Sequence, residues 1–490
     1  MSKRYQKWLH QPEKWFLIIG LFFGLFHLFA VPAFGEPDEG AHFNRAYQIS
    51  EGHLFGEAMP GAGKGSYSPK AIIEFDNSTQ RLFWYPATER TTFKALFTSL
   101  AQPGLTINNT ADRKPLHIEN AELHNPLIYT PQVAGIFIAK LLNFSVARTF
   151  YLVRLSGLIF WLIVCYYGLK RMKALGWAAL VLLLTPPSLQ IASSISADTT
   201  AVAITVLFVG MIMDKLATQR MFTRSQLWQL TGVTIALACV KFPYAILAAL
   251  LVVLPSKLFA GGKRHRLIFL ASVLTAATLI FGAWTIVARK GDFPYKTIAT
   301  GLPFNETYQE KYLIHHPITF AHKLYTTYFV YNPNLVGSPY NYDIFIGYVG
   351  ILGNLGYAIA GWAIALYFLL VGGVFTALVY GAKSIEFVSR RARLFIFCLL
   401  TLLFLLINAS LFITWSPANL PYIDGLQSRY FIPVLIALIL CLLPLRKKTI
   451  IISRTFLILV PLCLVLIHLS AAVSVYKHFY APPPLSTAAK

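Results

Sequence analysis

Residues 35–45, with the sequence GEPDEGAHFNR, carry the side chains best suited to chemistry in this 490-residue chain. Pro37 suits the first position of a helix, and the acids beside it suit the first turn. If a helix begins there, Asp38, His42 and Arg45 fall at i, i+4 and i+7 on one face. A carboxylate beside an imidazole and a guanidinium can transfer protons and bind anions. The alternative interpretation is helix capping with an exposed ion pair.

Two cations lie at the edges of later apolar runs. Lys241 separates two short apolar stretches, and a lysine at such depth is costly unless it reaches water or an anion. The alternative for Lys241 is a snorkelling lysine at a helix break. Arg429 opens an apolar run on the side of the membrane where basic residues are not expected, and its planar fork favours bidentate contact with phosphate.

The remaining polar candidates have weaker patterns. Asp198 heads an apolar run, where capping the helix is as good an interpretation as a role in a site. His315 and His316 are adjacent and would point in different directions on a helix, so we predict exposed loop histidines rather than a phosphate or metal site. Asp38 and Glu39 could share a divalent cation, although two adjacent carboxylates are weak grounds for a metal site.

The composition restricts the class of protein that must position these side chains. Hydrophobic residues make up 56% and charged residues 13%, and the mean hydropathy is +0.58. These values exclude a disordered chain and leave too little polar surface for a water-soluble fold. The formal charge of +22 does not indicate nucleic-acid binding, because the basic residues are not gathered on one polar domain. The five cysteines lie singly in apolar runs, which favours neither a zinc site nor a disulfide framework. We therefore predict an all-α, polytopic membrane protein.

Apolar runs long enough to cross a bilayer occur about eleven times. They lie near residues 15–33, 148–169, 174–193, 198–213, 226–240, 243–260, 267–288, 347–381, 394–414, 429–445 and 449–473. With the N-terminus in the cytoplasm, every short inner loop is basic, as the positive-inside rule requires. Because no small-residue cleavage motif follows the first run, we expect it to remain as a span.

The same charge pattern decides how residues 126–142 are placed. They are apolar enough to cross the membrane, but a crossing there would turn every later basic loop outward. We therefore predict an interfacial helix on the outer leaflet. The resulting organisation is a tail and first span at 1–33, a large outer loop at 34–147, spans at 148–288, a second outer loop at 289–346, and C-terminal spans with a short tail at 347–490.

Several short motifs resemble one known family. They are Glu36-Pro37-Asp38-Glu39-Gly40-Ala41-His42-Phe43-Asn44-Arg45, Asn125-Pro126-Leu127-Ile128-Tyr129, Val153-Arg154-Leu155, Leu184-Thr185-Pro186-Pro187, Ser196-Ala197-Asp198, Lys241-Phe242-Pro243-Tyr244 and Gly425-Leu426-Gln427-Ser428-Arg429-Tyr430-Phe431. In this order they resemble the bacterial membrane-protein family called domain of unknown function 2142. The family more often has glycine where Ser428 stands.

That family is similar to the GT-C superfamily of integral membrane glycosyltransferases. The resemblance implies a GT-C-like bundle with juxtamembrane helices in the first extracytoplasmic loop, a polyprenyl-phosphate-linked sugar as donor, and an acidic catalytic residue just after the first span. On this chain the catalytic base would be Asp38, with Glu39 as second candidate.

The resulting hypothesis is an inverting glycosyltransferase of the bacterial cytoplasmic membrane. Its site would be extracytoplasmic, and its acceptor a cell-envelope glycan or a lipid-linked saccharide. Lys241, Arg429 and Arg45 would bind the donor phosphate; His42, Asp198, His124 and Tyr244 would orient groups or bind the acceptor. Cytosolic nucleotide sugars and ATP are poor candidates, because no Gly-rich nucleotide loop precedes any span. A flippase or transporter of a lipid-linked saccharide and a glycan ligase or polymerase remain as alternatives. No cofactor is expected with certainty, and a divalent cation is an option.

Overall fold

The computed structural model describes residues 10–60, 64–84, 90–101, 104–288, 296–297, 303–330, 344–380, 382–384, 388–442, 447–450 and 453–482. The start of the predicted N-terminal tail, parts of the predicted second outer loop and the last residues of the chain lie outside these ranges. Within them the protein is mostly helical, as an all-α membrane protein should be.

The helices follow one another closely along the first half of the chain. They are α1 (Pro12–Ala30), α2 (Glu39–Ser50), α3 (Lys70–Trp84), α4 (Phe93–Ala101), α5 (Glu119–Glu122), α6 (Thr130–Leu141), α7 (Val146–Met172), α8 (Gly176–Leu183), α9 (Pro186–Ala192), α10 (Ala197–Thr218) and α11 (Arg224–Val240). The second half contains α12 (Gly262–Ala288), α13 (Glu306–His315), α14 (Pro317–Phe329), α15 (Ile344–Gly350), α16 (Gly361–Tyr380), α17 (Arg390–Thr414), α18 (Ile432–Leu438) and α19 (Arg454–Phe479). Short 3-10 helices cover Pro126–Tyr129, Lys173–Leu175, Phe242–Val253, Ser256–Leu258, Ser428–Phe431 and Ile439–Leu442.

Seven helices in the described part of the chain are long and apolar enough to cross a membrane. They are Pro12–Ala30, Val146–Leu183, Ala197–Thr218, Gly262–Ala288, Gly361–Leu378, Arg390–Thr414 and Thr455–Phe479. The second of these is 38 residues long, because a single 3-10 turn joins α7 to α8. Two further apolar helices, Phe242–Val253 and Ser428–Cys441, are shorter. The protein is thus a multi-pass membrane protein, and the count of eleven spans stays a prediction.

Proline interrupts two of the apolar runs at positions that matter for the site. After α8 the chain leaves helical geometry at Leu184, and the Thr185 side chain caps α9, which opens with Pro186. After α11 the backbone of Lys241 is extended, and Pro243 lies in the first turn of the 3-10 helix that follows. Each break ends a helix inside an apolar run, so polar side chains and unpaired backbone groups can gather there.

The predicted single span at 347–381 is wrong in its first third. The structure has α15, then a hairpin of β6 (Ile351–Leu352) with β7 (Tyr357–Ala358), and only then α16. The turn between the two strands contains Gly353 and Leu355, both with positive φ. Two left-handed residues in one tight turn end the helical geometry, which the apolar composition alone did not reveal.

The first outer loop is an ordered structure of small helices and one sheet. The strands β1 (Glu57–Ala58), β2 (Lys64–Pro69) and β3 (Arg113–His117) pair antiparallel in that order. Short antiparallel pairs elsewhere are β4 (Lys296–Thr297) with β5 (Pro303–Phe304), and β8 (Ala382–Ser384) with β9 (Lys447–Ile450). This loop structure supports α2, the helix that carries the candidate catalytic segment.

The segment predicted to lie on the outer leaflet forms the 3-10 helix Pro126–Tyr129 followed by α6. Twelve residues of α-helix rise only about 18 Å, whereas the hydrocarbon core is about 30 Å thick. Leu141 and Leu142 at its end are strongly exposed. This α-helix alone is too short to cross the hydrocarbon core, and its position on the outer leaflet stays a prediction.

An aromatic cluster fixes the turn between α1 and α2. The Phe34 ring lies 4.5 Å from that of Phe150 on α7, 5.5 Å from Phe75 on α3 and 6.3 Å from Phe43 on α2, measured between centroids. Packing of this kind stabilises beyond the area buried. The cluster therefore holds the start of α2 against the outer end of the bundle.

Candidate active site

The candidate catalytic helix starts later than the sequence suggests. Helix α2 begins at Glu39, so the expectation that Pro37 opens it is wrong. Asp38 is the residue before the helix, with left-handed backbone angles of φ 61° and ψ 9°, and its carbonyl accepts from the His42 N–H at 3.0 Å. Left-handed geometry costs a non-glycine residue about 1–2 kcal/mol. Such strain gathers at functional sites, so it marks Asp38 as a candidate.

Glu39 points away from Asp38 and is fully engaged by Arg154 of α7. The Arg154 Nε and Nη2 donate to the two Glu39 carboxylate oxygens at 2.8 and 2.7 Å, and the Ile195 N–H donates to one of them at 3.0 Å. Arg154 also donates to the carbonyls of Leu28, Val31 and Pro32. Both side chains are almost completely buried. The structure therefore gives Glu39 an anchoring position, and the catalytic role predicted for it has no support in this geometry.

Asp38 belongs instead to a cluster of four charges, which we call the charged quartet: Asp38, Asp198, Lys241 and Arg429. The Arg429 Nη2 lies 3.2 Å from the Asp38 Oδ2, and the Arg429 Nε lies 3.1 Å from the Asp198 Oδ2. The Lys241 Nζ lies 2.5 Å from the Asp198 Oδ1. Asp198 thus bridges two cations that are far apart in the sequence, and Asp38 completes the row.

The helix-capping interpretation of Asp198 is wrong. The N-cap of α10 is Ser196, whose hydroxyl accepts from the Asp198 N–H at 3.1 Å. Asp198 lies in the first turn of the helix, and its carboxylate is free to pair with the two cations. Its side chain is only 6% exposed, and this buried carboxylate is matched by the buried Arg429 and by Lys241, whose side chain is 16% exposed.

A hydrogen bond of Tyr244 joins the segment that carries Lys241 to the segment that carries Arg429. Its hydroxyl, three residues beyond Lys241, donates to the backbone carbonyl of Tyr430 at 3.0 Å. The Lys241 ammonium lies 4.9 Å from the centroid of the Tyr430 ring. These contacts support the predicted orienting role of Tyr244, because they join the break after α11 to the segment that carries Arg429.

The charged quartet opens into a cavity of about 740 Å³. Its polar wall includes Asp38, His42, His124, Lys241 and Arg429. Its other wall is largely apolar and comes from two helices long enough to cross a membrane. Helix α12 contributes Phe281, Trp284, Thr285 and Ala288, and α17 contributes Ile407, Ser410, Leu411 and Thr414. The cavity therefore combines a charged wall with a largely apolar wall, which suits an amphipathic ligand.

Two imidazoles border the quartet. His42 and His124 have ring centroids 6.0 Å apart and are nearly parallel. Burial lowers the pKa of His42 to about 4, with the nearby Lys241 acting in the same direction and Asp38 against it. Burial also moves the pKa of His124 well below its usual value. Both rings are neutral at pH 7, so they offer hydrogen bonds without adding charge.

Arg45 is not on the cavity wall where the phosphate-binding prediction placed it. It is completely buried in the outer loop, where Nη1 donates to the Gln48 side chain at 2.5 Å and Nη2 to the Leu54 carbonyl at 2.7 Å. Arg45 lies seven residues, or almost two turns, beyond Asp38, and its hydrogen bonds join it to α2 itself and to the segment that follows α2. A structural position explains its contacts.

His315 and His316 are neighbours at the junction between α13 and α14. His315 ends α13 and His316 precedes α14; both are exposed as predicted, although they lie at a helix junction rather than in a loop. Over the described ranges, no group of three or more histidine, cysteine or acidic side chains could hold a metal ion.

A family model described as Predicted membrane protein (DUF2142) matches residues 21–438 of the chain. The chain belongs to this family. The DUF2142 match includes every residue of the charged quartet, so the site lies within the family's own region. No curated protein and no solved structure matches the chain.

Sequence reasoning missed several residues of the DUF2142 site. Trp415, Gln427 and His117 line the cavity, and Tyr129 contacts His42 from behind it. Tyr129 and Gln427 lie in motifs that carry the family resemblance but received no role, and Trp415 and His117 carry no local pattern that singles them out. Arg154 could have been found, because an arginine inside an apolar run of α7 needs a partner. That partner, Glu39, was assigned to catalysis instead.

Proposed function

We propose that this protein is a membrane glycosyltransferase. It moves a sugar from a polyprenyl-phosphate donor to a hydroxyl of a cell-envelope glycan or lipid-linked saccharide, at the outer face of the bacterial cytoplasmic membrane. The observation that carries the proposal is a single cavity in which Asp38 and two cations meet an apolar wall. The GT-C resemblance supplies the reaction class by analogy.

The two cations retain unused hydrogen-bond donors. The Nη1 of Arg429 is buried and has no hydrogen-bond partner among the described residues. Lys241 has three N–H protons, and its recorded hydrogen bond to Asp198 uses one of them. A buried guanidinium with an unmet donor costs free energy that an anion would recover. These donors fit the oxygens of a phosphate monoester.

The apolar wall fits the lipid part of such a donor. On α12 the lining residues Phe281, Trp284 and Ala288 are spaced by three and four, so they occupy one face. On α17 the same is true of Ile407, Leu411 and Thr414. Because both helices are long enough to cross the membrane, a polyprenyl chain lying in the bilayer could extend from the quartet along these faces.

In the proposed reaction, the acceptor hydroxyl attacks the anomeric carbon of the sugar. The hydroxyl proton passes to the Asp38 carboxylate as the new carbon–oxygen bond forms. The bond between the anomeric carbon and the phosphate oxygen breaks, and its electron pair leaves with the polyprenyl phosphate. Lys241 and Arg429 stabilise the charge that develops on this oxygen. A single displacement of this kind inverts the anomeric configuration.

Asp198 has a separate function in this proposal. It holds Lys241 and Arg429 at fixed positions and offsets their charge, so that the quartet is formally neutral before a ligand binds. Fixed donors need no rearrangement when charge develops, which is the main source of electrostatic catalysis.

The decisive experiment uses purified protein in detergent with a radiolabelled polyprenyl-phosphate monosaccharide. We expect label to reach a glycan acceptor, and Asp38→Asn to reduce this transfer about 10²- to 10⁴-fold while donor binding and thermal stability persist. The matched control is Asp112→Asn. Asp112 is an exposed outer-loop aspartate that also has a positive φ of 52°. Equal transfer by the Asp38→Asn protein would refute the assignment.

Two other outcomes identify the alternatives. If label crosses the membrane of proteoliposomes unchanged, the protein is a flippase or transporter. If only donors that carry a complete glycan react, it is a ligase or polymerase. Polar groups at one end of the cavity and an apolar wall at the other favour chemistry at a surface, since alternating access needs a site near the bilayer midplane.

A further inference from the structure

His42 makes one close contact behind the cavity wall, with Tyr129. The His42 Nδ1 lies 2.7 Å from the Tyr129 hydroxyl. Tyr129 ends the 3-10 helix Pro126–Tyr129, far from His42 in the sequence, and is completely buried. His42 itself lines the cavity. Tyr129 therefore contacts a cavity residue from the protein side without belonging to the cavity lining.

The distances decide the direction of this hydrogen bond. The Tyr129 hydroxyl has one proton, and its other neighbour, the Ala121 carbonyl, is 3.4 Å away. Hydrogen bonds donated by hydroxyls fall at about 2.5–3.0 Å, so the Ala121 carbonyl is the weaker of the two acceptors open to the Tyr129 proton and the His42 Nδ1 is the stronger. These distances favour the arrangement in which Tyr129 donates and the His42 Nδ1 accepts. A neutral imidazole that accepts at Nδ1 carries its proton on Nε2.

The surroundings keep both partners in these forms. Burial raises the pKa of the Tyr129 phenol, which therefore stays a donor. Burial lowers the pKa of His42 to about 4; Lys241 and Arg429 add to this effect, whereas Asp38 and Asp198 oppose it. His124, whose ring faces His42, is also neutral because burial lowers its pKa. Protonation of His42 near pH 7 would require the Tyr129 hydroxyl to turn to the distant Ala121 carbonyl.

We propose that Tyr129 is a positioning residue that holds His42 as a neutral imidazole with its proton on Nε2, so that His42 donates a hydrogen bond to an oxygen atom of the ligand. The catalytic part of this inference rests on the proposed transferase function. A neutral donor has one advantage over a charged one here. An imidazolium within one helical turn of Asp38 would pair with the catalytic carboxylate and weaken it as a base.

The first test does not depend on activity. Protein labelled with ¹⁵N-histidine is compared in wild-type, Tyr129→Phe and His42→Gln forms, the last to assign the His42 signals. At pH 7 the wild-type protein should show an unprotonated Nδ1 and a protonated Nε2 for His42. In Tyr129→Phe the two tautomers should mix. A protonated Nδ1 in the wild-type protein, or identical His42 signals in Tyr129→Phe, would overturn the proposal.

The second test measures function. Tyr129→Phe should lower transfer about tenfold, while Tyr47→Phe should not; Tyr47 is a buried tyrosine of the same loop whose hydroxyl bonds Glu51 at 3.0 Å. Weaker binding of polyprenyl phosphate would place the ligand oxygen on the phosphate, and a raised KM for the acceptor alone would place it on a sugar hydroxyl. Unchanged values for both would overturn the catalytic part. If no variant and no wild-type protein transfers sugar, the proposed function fails while the tautomer result still stands.

Discussion

Two buried arginines, Arg154 and Arg429, differ in how many of their hydrogen-bond donors the protein itself uses. Both are over 90% buried, and both pair with a carboxylate from the segment after α1. Arg154 donates from all three of its nitrogens to Glu39 and to three backbone carbonyls. Arg429 makes one hydrogen bond, at 3.2 Å to Asp38, and an ion pair at 3.1 Å with Asp198, and its Nη1 has no hydrogen-bond partner in the part of the chain that the structure describes.

The comparison separates two roles that the sequence made look alike. A guanidinium whose donors are all hydrogen-bonded within the protein has none left for a ligand, so replacing that arginine should lower the free energy of unfolding. An arginine with spare donors on a cavity wall contributes less to the fold, and its loss should be felt as weaker binding. The following predictions use this difference.

The largest expected effect is on Arg154. Arg154→Met removes a cation that four acceptors share, and leaves the Glu39 carboxylate buried without its partner. The free energy of unfolding should fall by about 3–5 kcal/mol, because breaking one side of a buried ion pair strands the other. Denaturant unfolding in detergent measures this.

The control for that prediction is Arg171→Met on the same helix, where the arginine donates an exposed hydrogen bond to the Tyr167 carbonyl. It should change stability by less than about 0.5 kcal/mol. Adding Glu39→Leu to Arg154→Met should restore part of the loss, since the stranded charge is then gone. If the Arg154→Met protein has the same free energy of unfolding as the wild-type protein, the distinction between Arg154 and Arg429 is wrong.

The next effect is on Arg429. Arg429→Lys keeps the charge but removes the planar fork, so the affinity for polyprenyl phosphate should drop about 10- to 100-fold. Binding to the purified protein measures this, with Arg113→Lys as control, because Arg113 makes a bidentate pair with Glu51 in the outer loop. Stability should change less than in Arg154→Met. Unaltered phosphate affinity would remove Arg429 from the binding site.

The smallest effect concerns a third buried arginine, Arg45, and the carboxyl beside it. Burial raises the pKa of Glu122 to about 7, against the opposing charge of Arg45. Because the pKa of the Glu122 carboxyl is higher in the folded than in the unfolded protein, its contribution to the free energy of unfolding falls as the pH rises from about 4.5 to about 7. The wild-type protein should therefore lose unfolding temperature relative to Glu122→Gln over this range; the comparison with this variant is needed because the lowered pKa of His42 changes stability in the opposite direction. Glu74→Gln, at an exposed ion pair with Lys70, should show no such difference from the wild-type protein.

The sequence predicted those site residues whose unusual placement can be recognised from a few neighbouring residues. A lysine at a break in an apolar run is costly, which singles out Lys241, and Arg429 falls on the predicted outer side, where the positive-inside rule does not favour basic residues. Asp38 follows a span and precedes a helix. Each of these signals depends on a few neighbouring residues, and the structure brings the three side chains into one cluster.

The partners of these residues could not be predicted in the same way. Asp198 has a capping position in the sequence, and only the fold shows that Ser196 caps while Asp198 pairs with Lys241. The sequence does not distinguish Asp38 from Glu39, but Asp38 precedes α2 with left-handed backbone angles whereas Glu39 is the first residue of the helix, and one pairs with Arg429 and the other with Arg154. Long-range pairing and the exact start of the helix decide these roles.

The turn between Phe34 and Asp38 affects what a substrate must do on arrival. Both residues have left-handed backbone angles, which is unfavourable for a bulky aromatic in particular. The turn keeps its shape because aromatic rings surround Phe34 and because Arg154 donates hydrogen bonds to the carbonyls of Val31 and Pro32, just before the turn. The backbone of Asp38 is thus set in place as the chain folds. In the proposed reaction, a substrate can therefore direct its whole attraction for the protein to alignment with the Asp38 carboxylate, since none is used to bend the main chain.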